Sequence, residues 1–399
     1  SAGMARSAPR RPPAPKLNRR HARLGVKRLR RMLEGMFEDV HSQRLDALAN
    51  YAEATMRAMR AGVHAIGAAY AELAEIKPKH GIKQFDRFLS NRGLDVQRLL
   101  PAWARFVVGG RSEVLLALDW TEFDDDDHST LCVHVVTSHG RATPLAWKTH
   151  KKSELRDRRT AAEHALIEAV HAALPKDVAV TVLADRGFGD QVLYDLLEML
   201  GWSYVIRFRG AILVEHAGIQ RPASEWVAPS GRACLLDGAR VTADKTKVGA
   251  VVTVRSKAMK EPWVLATNVD GKTATEIVKL YGRRFTIEET FRDEKDLRFG
   301  MGLRATHIRS AARRDRFLML LAIAIAFLTL MGAASERAGM DAWLRANTVK
   351  RRTHSLLRQG SHWYRSLPNM REDWFRQLMS ALAQVLEEHR DLTTMLGQI

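Results

Sequence analysis

Apolar residues recur at helical spacing early in the chain: Met32, Leu33, Met36 and Phe37, then Leu45, Leu48, Ala49 and Ala52. Pro78 interrupts this pattern. A short helix is predicted over 83–91, ended by Gly93, and another up to about Val108. Gly109 and Gly110 mark a boundary. From Val114 the period becomes strand-like. VLLALDW (114–120), LCVHVVTSH (131–139) and RATPLAWKT (141–149) read as three successive strands. A helix is predicted at 159–173, a strand at 178–184, a helix near 189–200 and a strand at 202–208. Residues 210–270 hold Gly, Pro and short β-rich runs such as GAVVTVRS (249–256). Helices return at 274–298, 310–334 and 371–391.

Three antiparallel strands followed by helix, strand, helix and strand is the order of a ribonuclease-H-like core. The expected class is therefore α/β: such a core with a β-rich insertion at about 210–270, flanked by an all-helical N-terminal region and C-terminal helices. Four segments follow: a basic arm at 1–31, a helical unit at 32–110, the α/β unit at 111–335 and a helical region at 336–399. The run FLMLLAIAIAFLTLM (317–331) is uncharged over 15 residues. Crossing a bilayer takes about 20, so this run reads as a buried core helix, and no membrane partner is expected.

Charge sharpens the picture. The chain has 63 Lys and Arg against 45 Asp and Glu, a formal charge of +18. A soluble protein this basic most often meets a polyanion. The arm at 1–31 is dense in Arg, Pro and Ala, has no acid and reads as disordered. Ser1 to Gly3, ahead of Met4, read as an expression remnant, and no apolar signal segment is expected. Cys132 and Cys234 lie far apart, which argues against a disulfide framework or a zinc site. The 15 His form no HxxxH or HExxH pattern. A reducing cytoplasm fits.

Three acids stand out. Asp119 ends one apolar run and Asp185 ends another, while Glu288 lies in YGRRFTIEETFRDEK (281–295). Acids on two strand ends and one helix are what such a sheet needs to hold two divalent metals for phosphodiester chemistry. Tyr281, Arg284, Glu288 and Lys295, read as one helix, fall within roughly 60° of one another at about 100° per residue. An i,i+4 ion pair explains Arg284 and Glu288 alone. A metal-binding acid flanked by phosphate clamps explains all four. Arg186 is placed to pair with Asp185 or with phosphate. The run Asp124–Asp127 reads as a solvated turn. Lys79, Lys83, Arg87 and Arg92 surround a short helix and read either as a DNA contact or as a solvated basic face.

The Tyr–Arg–Glu–Lys spacing resembles the YREK motif of bacterial DDE-type insertion-sequence transposases of the IS-four group. DWT (119–121), ADRGF (184–188), EPWVLATN (261–268), IEETFRD (287–293) and GMGL (300–303) resemble that family too, over roughly residues 80–350. The resemblance implies cut-and-paste transposition: nicking at the element's ends, hairpin formation and opening, and strand transfer. It implies that Asp119, Asp185 and Glu288 are catalytic and ligate two Mg2+, with Mn2+ able to substitute. It implies phosphate contacts for Arg284 and Lys295, a place beside the DNA backbone for Tyr281, and base stacking by Trp263. Partners would be double-stranded DNA, as terminal inverted repeats and target, and a second copy in a homodimeric synaptic complex. The bacterial cytoplasm, at the nucleoid, would be the location. In 371–391, Trp374, Phe375, Leu378, Leu382 and Val385 fall at helical spacing, a stripe either packed on its own α/β unit or, the favoured reading, offered to the partner subunit. The competing readings are a ribonuclease-H-like nuclease without strand transfer and an inactive DNA-binding relic.

Overall fold

The computed structural model describes residues 19–137, 142–285, 307–345, 348 and 354–396. Five helices come first: α1 (Arg19–Met36), α2 (Ser42–Ala58), α3 (Val63–Ala74), α4 (Pro78–Leu89) and α5 (Val96–Val108). Two expectations change here. Helix α1 begins inside the segment expected to be a disordered arm, and Leu29 and Leu33 on it are fully buried. Helix α4 begins at Pro78 rather than near residue 83. Proline suits the first helical position, where its missing N–H would have had no partner.

The α/β region follows: β1 (Glu113–Phe123), β2 (His128–Val136), β3 (Ala142–Lys151), α6 (Arg159–Ala173), β4 (Ala179–Ala184), α7 (Gln191–Met199) and β5 (Ser203–Arg207). Strands β2 and β3 extend antiparallel from β1, whereas β4 and β5 run parallel to it on the other side. This is the ribonuclease-H-like arrangement. The stretch 210–270 divides in two. Strands β6 (Leu213–His216), β7 (Ile219–Pro222), β9 (Arg240–Val241) and β10 (Thr246–Lys247) form a small separate sheet. Strands β8 (Cys234–Asp237), β11 (Ala250–Val254) and β12 (Trp263–Thr267) instead lengthen the central sheet to eight strands, ordered β3-β2-β1-β4-β5-β12-β11-β8.

Strand alternation assigns the two faces of that sheet. Leu115, Ala117, Leu183, Val205, Val252 and Leu265 pack with Ile277 and Tyr281 of α8 (Ala274–Gly282). Their neighbours Leu116, Leu118, Val182, Tyr204 and Ile206 join the larger core, which includes Ile167 of α6 and Leu193 of α7. That larger core is continuous from Leu29 of α1 to Leu382 near the C-terminus.

The apolar run forms the middle of α9 (Ala311–Arg337). By length and composition this helix could cross a membrane, but two thirds of its apolar window is buried within the protein. It touches α2, β3, α10 (Leu356–Ser366) and α11 (Glu372–Leu396). Its first turn is a junction. Arg313 pairs with Asp86 of α4 at 2.5 Å, and Arg316 donates to the Leu89 and Leu94 carbonyls. Asp315 accepts from the Thr149 amide of β3 at 3.0 Å. The stripe on α11 is covered by its own chain: Phe375, Leu378 and Leu382 are buried in the common core. A helix that is apolar all round needs cover on every side, and α11 supplies part of it. The expectation that the stripe faces a partner is not met.

Helices α9 and α10 meet backbone to backbone. A Cβ on Gly360 would stand 1.7 Å from the Leu328 carbonyl oxygen, and one on Gly332 1.9 Å from that of Leu356. Gly360→Ala should therefore cost about 1–3 kcal/mol through overpacking, read as a lower urea midpoint. A second expectation concerns Glu53 of α2, which is buried and accepts a hydrogen bond from the Tyr364 hydroxyl of α10. Burial pushes its carboxyl up to about 7 from an ordinary 4.5, against Tyr364 and Arg57, which pull it down. The native state then binds more protons than the unfolded chain between those values, so stability falls as pH rises through that window. Glu53→Gln should abolish this fall. Urea titrations should show little difference at pH 4 and a gain of up to roughly 3 kcal/mol over wild type at pH 8.

Candidate active site

The face that packs under α8 continues past the apolar residues. Leu115 and Ala117 are followed by Asp119 on β1, and Leu183 is followed by Asp185, just beyond β4. The parallel register that sets Ala117 beside Leu183 carries Asp119 beside Asp185. Strand pairing and alternation alone thus bring the two carboxyl groups together. Asp185 is fixed by its own turn, in which Oδ1 accepts the Gly187 N–H at 2.8 Å and the backbone carbonyl accepts the Phe188 N–H.

Helix α8 ends directly above this pair. The amides of Arg283 and Arg284 turn back to the carbonyls of Leu280 and Tyr281 at 3.2 and 2.9 Å. This tight turn sends Arg284 towards the strand ends. Its Nη2 lies 3.7 Å from Asp119 Oδ1 and 3.6 Å from Asp185 Oδ2. The Arg284 side chain is 9% exposed, while the carboxylates are 33% and 41% exposed. One buried guanidinium therefore bridges two carboxylates that remain open to solvent.

Tyr281 is placed differently from its expectation. It is buried on the α8 face, 5.1 Å from the Trp263 ring and edge-on to it. Phe285 completes the cluster, stacked on Trp263 at 5.2 Å and 13°. Helix α8 closes at Gly282, and Arg284 stands in the turn that follows, before Phe285 is helical again. Glu288 and Lys295, and with them most of the helix expected at 274–298, lie outside the described residues.

Arg186 pairs with Glu261 at 3.1 Å, not with Asp185, and Glu261 also takes Arg207 at 3.2 Å. Lys79, Lys83 and Arg87 are exposed on α4, away from the carboxylates. Arg92 lies elsewhere again. With Arg28, Arg31, Arg44, Arg98 and Arg105 it lines an open groove of about 1280 Å³ between α1, α5 and α11. Burial, and secondarily Arg31, holds the Arg28 guanidinium below its ordinary value. Sequence reasoning missed this groove, because its arginines come from separate stretches of chain.

The acidic turn is not merely solvated. Asp126 accepts the Ile308 N–H at 3.0 Å and pairs with Arg314, whose guanidinium is fully buried and lies over the Phe123 ring at 3.8 Å. Asp127 accepts from the Ser153 amide and hydroxyl, and Asp124 pairs with Lys152. These acids join the β1–β2 turn to α9 and to the end of β3. Sequence reasoning also missed Glu163 of α6, which accepts the Trp120 indole N–H at 2.7 Å. Burial raises its carboxyl, with smaller upward contributions from Asp190 and Asp185. Cys132 stands opposite Asp119 on β2. Burial first, then Asp119 and Asp315, raise its thiol, so it is no nucleophile.

Among the described residues no group of three or more His, Cys, Asp or Glu is arranged to hold a metal. Asp119 and Asp185 supply two hard oxygen donors already gathered around a cation, the guanidinium of Arg284. That donor chemistry fits a hard divalent ion completed by further oxygen ligands.

A sequence model described as the transposase DDE domain matches residues 111–327, more than half of the chain. The chain belongs to the DDE-type transposase family. The match opens just before β1 and closes within α9, so it takes in Asp119 and Asp185, the whole eight-stranded sheet and α8. No curated protein matches the chain. DDE transposases act on DNA and generally use divalent metals, in keeping with paired carboxylates on a strongly basic chain.

Proposed function

We propose that this transposase is a cut-and-paste enzyme of the IS-four group. It would nick DNA at the terminal inverted repeats of its element, form and open hairpin ends, and transfer the freed 3′ ends to target DNA. The observation that carries this reading is the pair Asp119 and Asp185, side by side just past the end of the parallel β1–β4 ladder, beneath a bridging Arg284. With Glu288 as third acid these residues would hold two Mg2+, or Mn2+ in its place. Bound there, the ions would activate a water or a 3′-hydroxyl and stabilise the leaving oxygen.

The remaining roles belong to the chain's own groups. Arg284 and Lys295 would contact the phosphates that flank the reacting one. Tyr281 supports this edge from inside by fixing the end of α8. Trp263 is half-buried against Phe285, so stacking on a flipped base requires it to exchange that ring for a nucleobase. Such a stack is worth about 1–3 kcal/mol. Helix α4, with Lys79, Lys83 and Arg87, and the arginine groove that contains Arg92 would follow the DNA backbone away from the catalytic centre.

In domain terms, we assign end binding to 32–110 with the arm before it, chemistry to 111–335, and synapsis to 336–399. The enzyme would work at the bacterial nucleoid as a homodimer that pairs two ends. Among the described residues of 336–399, the exposed Trp343 indole, edge-on to the half-buried Trp374 at 4.7 Å, offers an apolar surface for that contact. A plain ribonuclease-H-like nuclease shares the carboxylates but has no use for Trp263 beside the centre.

Alanine at Asp119, Asp185 or Glu288 should lower nicking of duplexes that carry the gene-flanking ends by about a thousandfold or more. Binding of the same duplexes should be largely kept. A Glu288→Ala protein that still nicks would refute the acid assignment. Affinity should fall steeply with salt through counterion release. Deleting residues 4–18 removes basic residues yet spares the buried Leu29. It should flatten the slope of log affinity against log salt by about 0.9 for each phosphate that those residues neutralise. The change should be equal for end and random duplexes, and weakening confined to end duplexes would mean that the arm reads sequence.

A further inference from the structure

Two neighbouring carboxylates repel, and a guanidinium that is 9% exposed is costly without anions. Here each problem solves the other, because Arg284 Nη2 stands almost equidistant from Asp119 and Asp185, at 3.7 and 3.6 Å. These are the two side chains that a divalent ion would take. From this arrangement we infer that Arg284 is the resident counter-ion of the catalytic carboxylates. It holds them in register before any metal arrives, and it must give them up when one does.

The inference rests on the reading of Asp119 and Asp185 as metal ligands, and it adds a sign to Arg284's role. A purely structural arginine would help metal binding by keeping the carboxylates aligned, so its loss would weaken binding. A counter-ion competes with the metal, so its loss tightens binding. The guanidinium hangs from a tight turn just past α8, beside carboxylates that are 33% and 41% exposed. A phosphate brought there by DNA would offer it a replacement anion.

Phe285 makes the exchange visible. It follows Arg284 directly and stacks on Trp263 at 5.2 Å, so movement of Arg284 alters the setting of that indole.

The test is Mn2+ binding to the full-length protein without DNA, followed by the electron paramagnetic resonance of the free ion. Arg284→Gln should bind Mn2+ about tenfold more tightly than wild type. Arg284→Lys, which keeps the charge, should stay close to wild type. Asp119→Asn should remove the binding. If Arg284→Gln binds no more tightly while Asp119→Asn still removes it, the counter-ion role is wrong and the metal site stands. If Asp119→Asn leaves Mn2+ binding unchanged, the metal-site reading fails, and this inference with it. A second measurement needs no change at Arg284. Mg2+ titration of wild type should shift the tryptophan emission, and Trp263→Phe should abolish that shift. An Mg2+-induced shift that survives in Trp263→Phe, or none in wild type, counts against displacement of Arg284.

Discussion

The guanidinium of Arg284 between Asp119 and Asp185 is the contact on which the carboxylate-bearing edge of the sheet depends. Asp119 lies within β1, opposite Cys132 of β2, and Asp185 lies just past β4, so the two carboxylates meet where the β1–β4 ladder stops. Each would be better solvated apart. A buried cation between them reverses that preference. Breaking a fully buried ion pair by removing one partner costs about 3–5 kcal/mol. The cost here is smaller, because water reaches the carboxylates. What the bridge secures is position more than stability, and position is what later ligands need.

The bridge is possible only because α8 sits where it does. Ile277 and Tyr281 press into the sheet face made by Leu115, Ala117, Leu183, Val205 and Leu265. Two of those residues, Val205 and Leu265, come from β5 and β12, which lie far apart in the chain with the small sheet, β8 and β11 between them. The insertion is therefore part of the catalytic platform. By adding β12, β11 and β8 to the sheet it widens the surface on which α8 rests, and it brings Trp263 beside Tyr281. The small separate sheet carries the rest of the inserted chain away from this platform.

On the far side α9 plays the corresponding part for the whole molecule. Its apolar length is surrounded by α2, α10, α11 and β3. Its polar first turn binds α4, the β1–β2 turn and β3 through Arg313, Arg314, Asp315 and Arg316. Three of these four, Arg314, Asp315 and Arg316, are buried. Specific partners offset the cost of that burial, mostly carbonyls and carboxylates that would otherwise lack a match. The helical N-terminal region and the sheet thereby share a continuous core.

The period of apolar residues is enough to find β1 to β5 of the central sheet, the helices between them and the buried nature of α9. Local alternation and helical spacing are written residue by residue, and each needs only neighbours in sequence. The same logic placed Asp185 just past a strand end, whereas β1 runs on beyond Asp119 to Phe123 because β2 goes on pairing with it. Tertiary structure decided the rest, because it depends on what lies across from each residue. Nothing local marks β8, β11 and β12 as continuing the main sheet, since strand partners are chosen by long-range pairing. Nothing local ends α8 at Gly282, where the turn aims Arg284 at the carboxylates and leaves Tyr281 in the core. The α11 stripe has the spacing of an interface, yet α9 claims it, since an amphipathic helix covers whichever apolar surface is nearest. Arg186 found Glu261, and Asp126 found Arg314, across separations in sequence that no spacing rule spans.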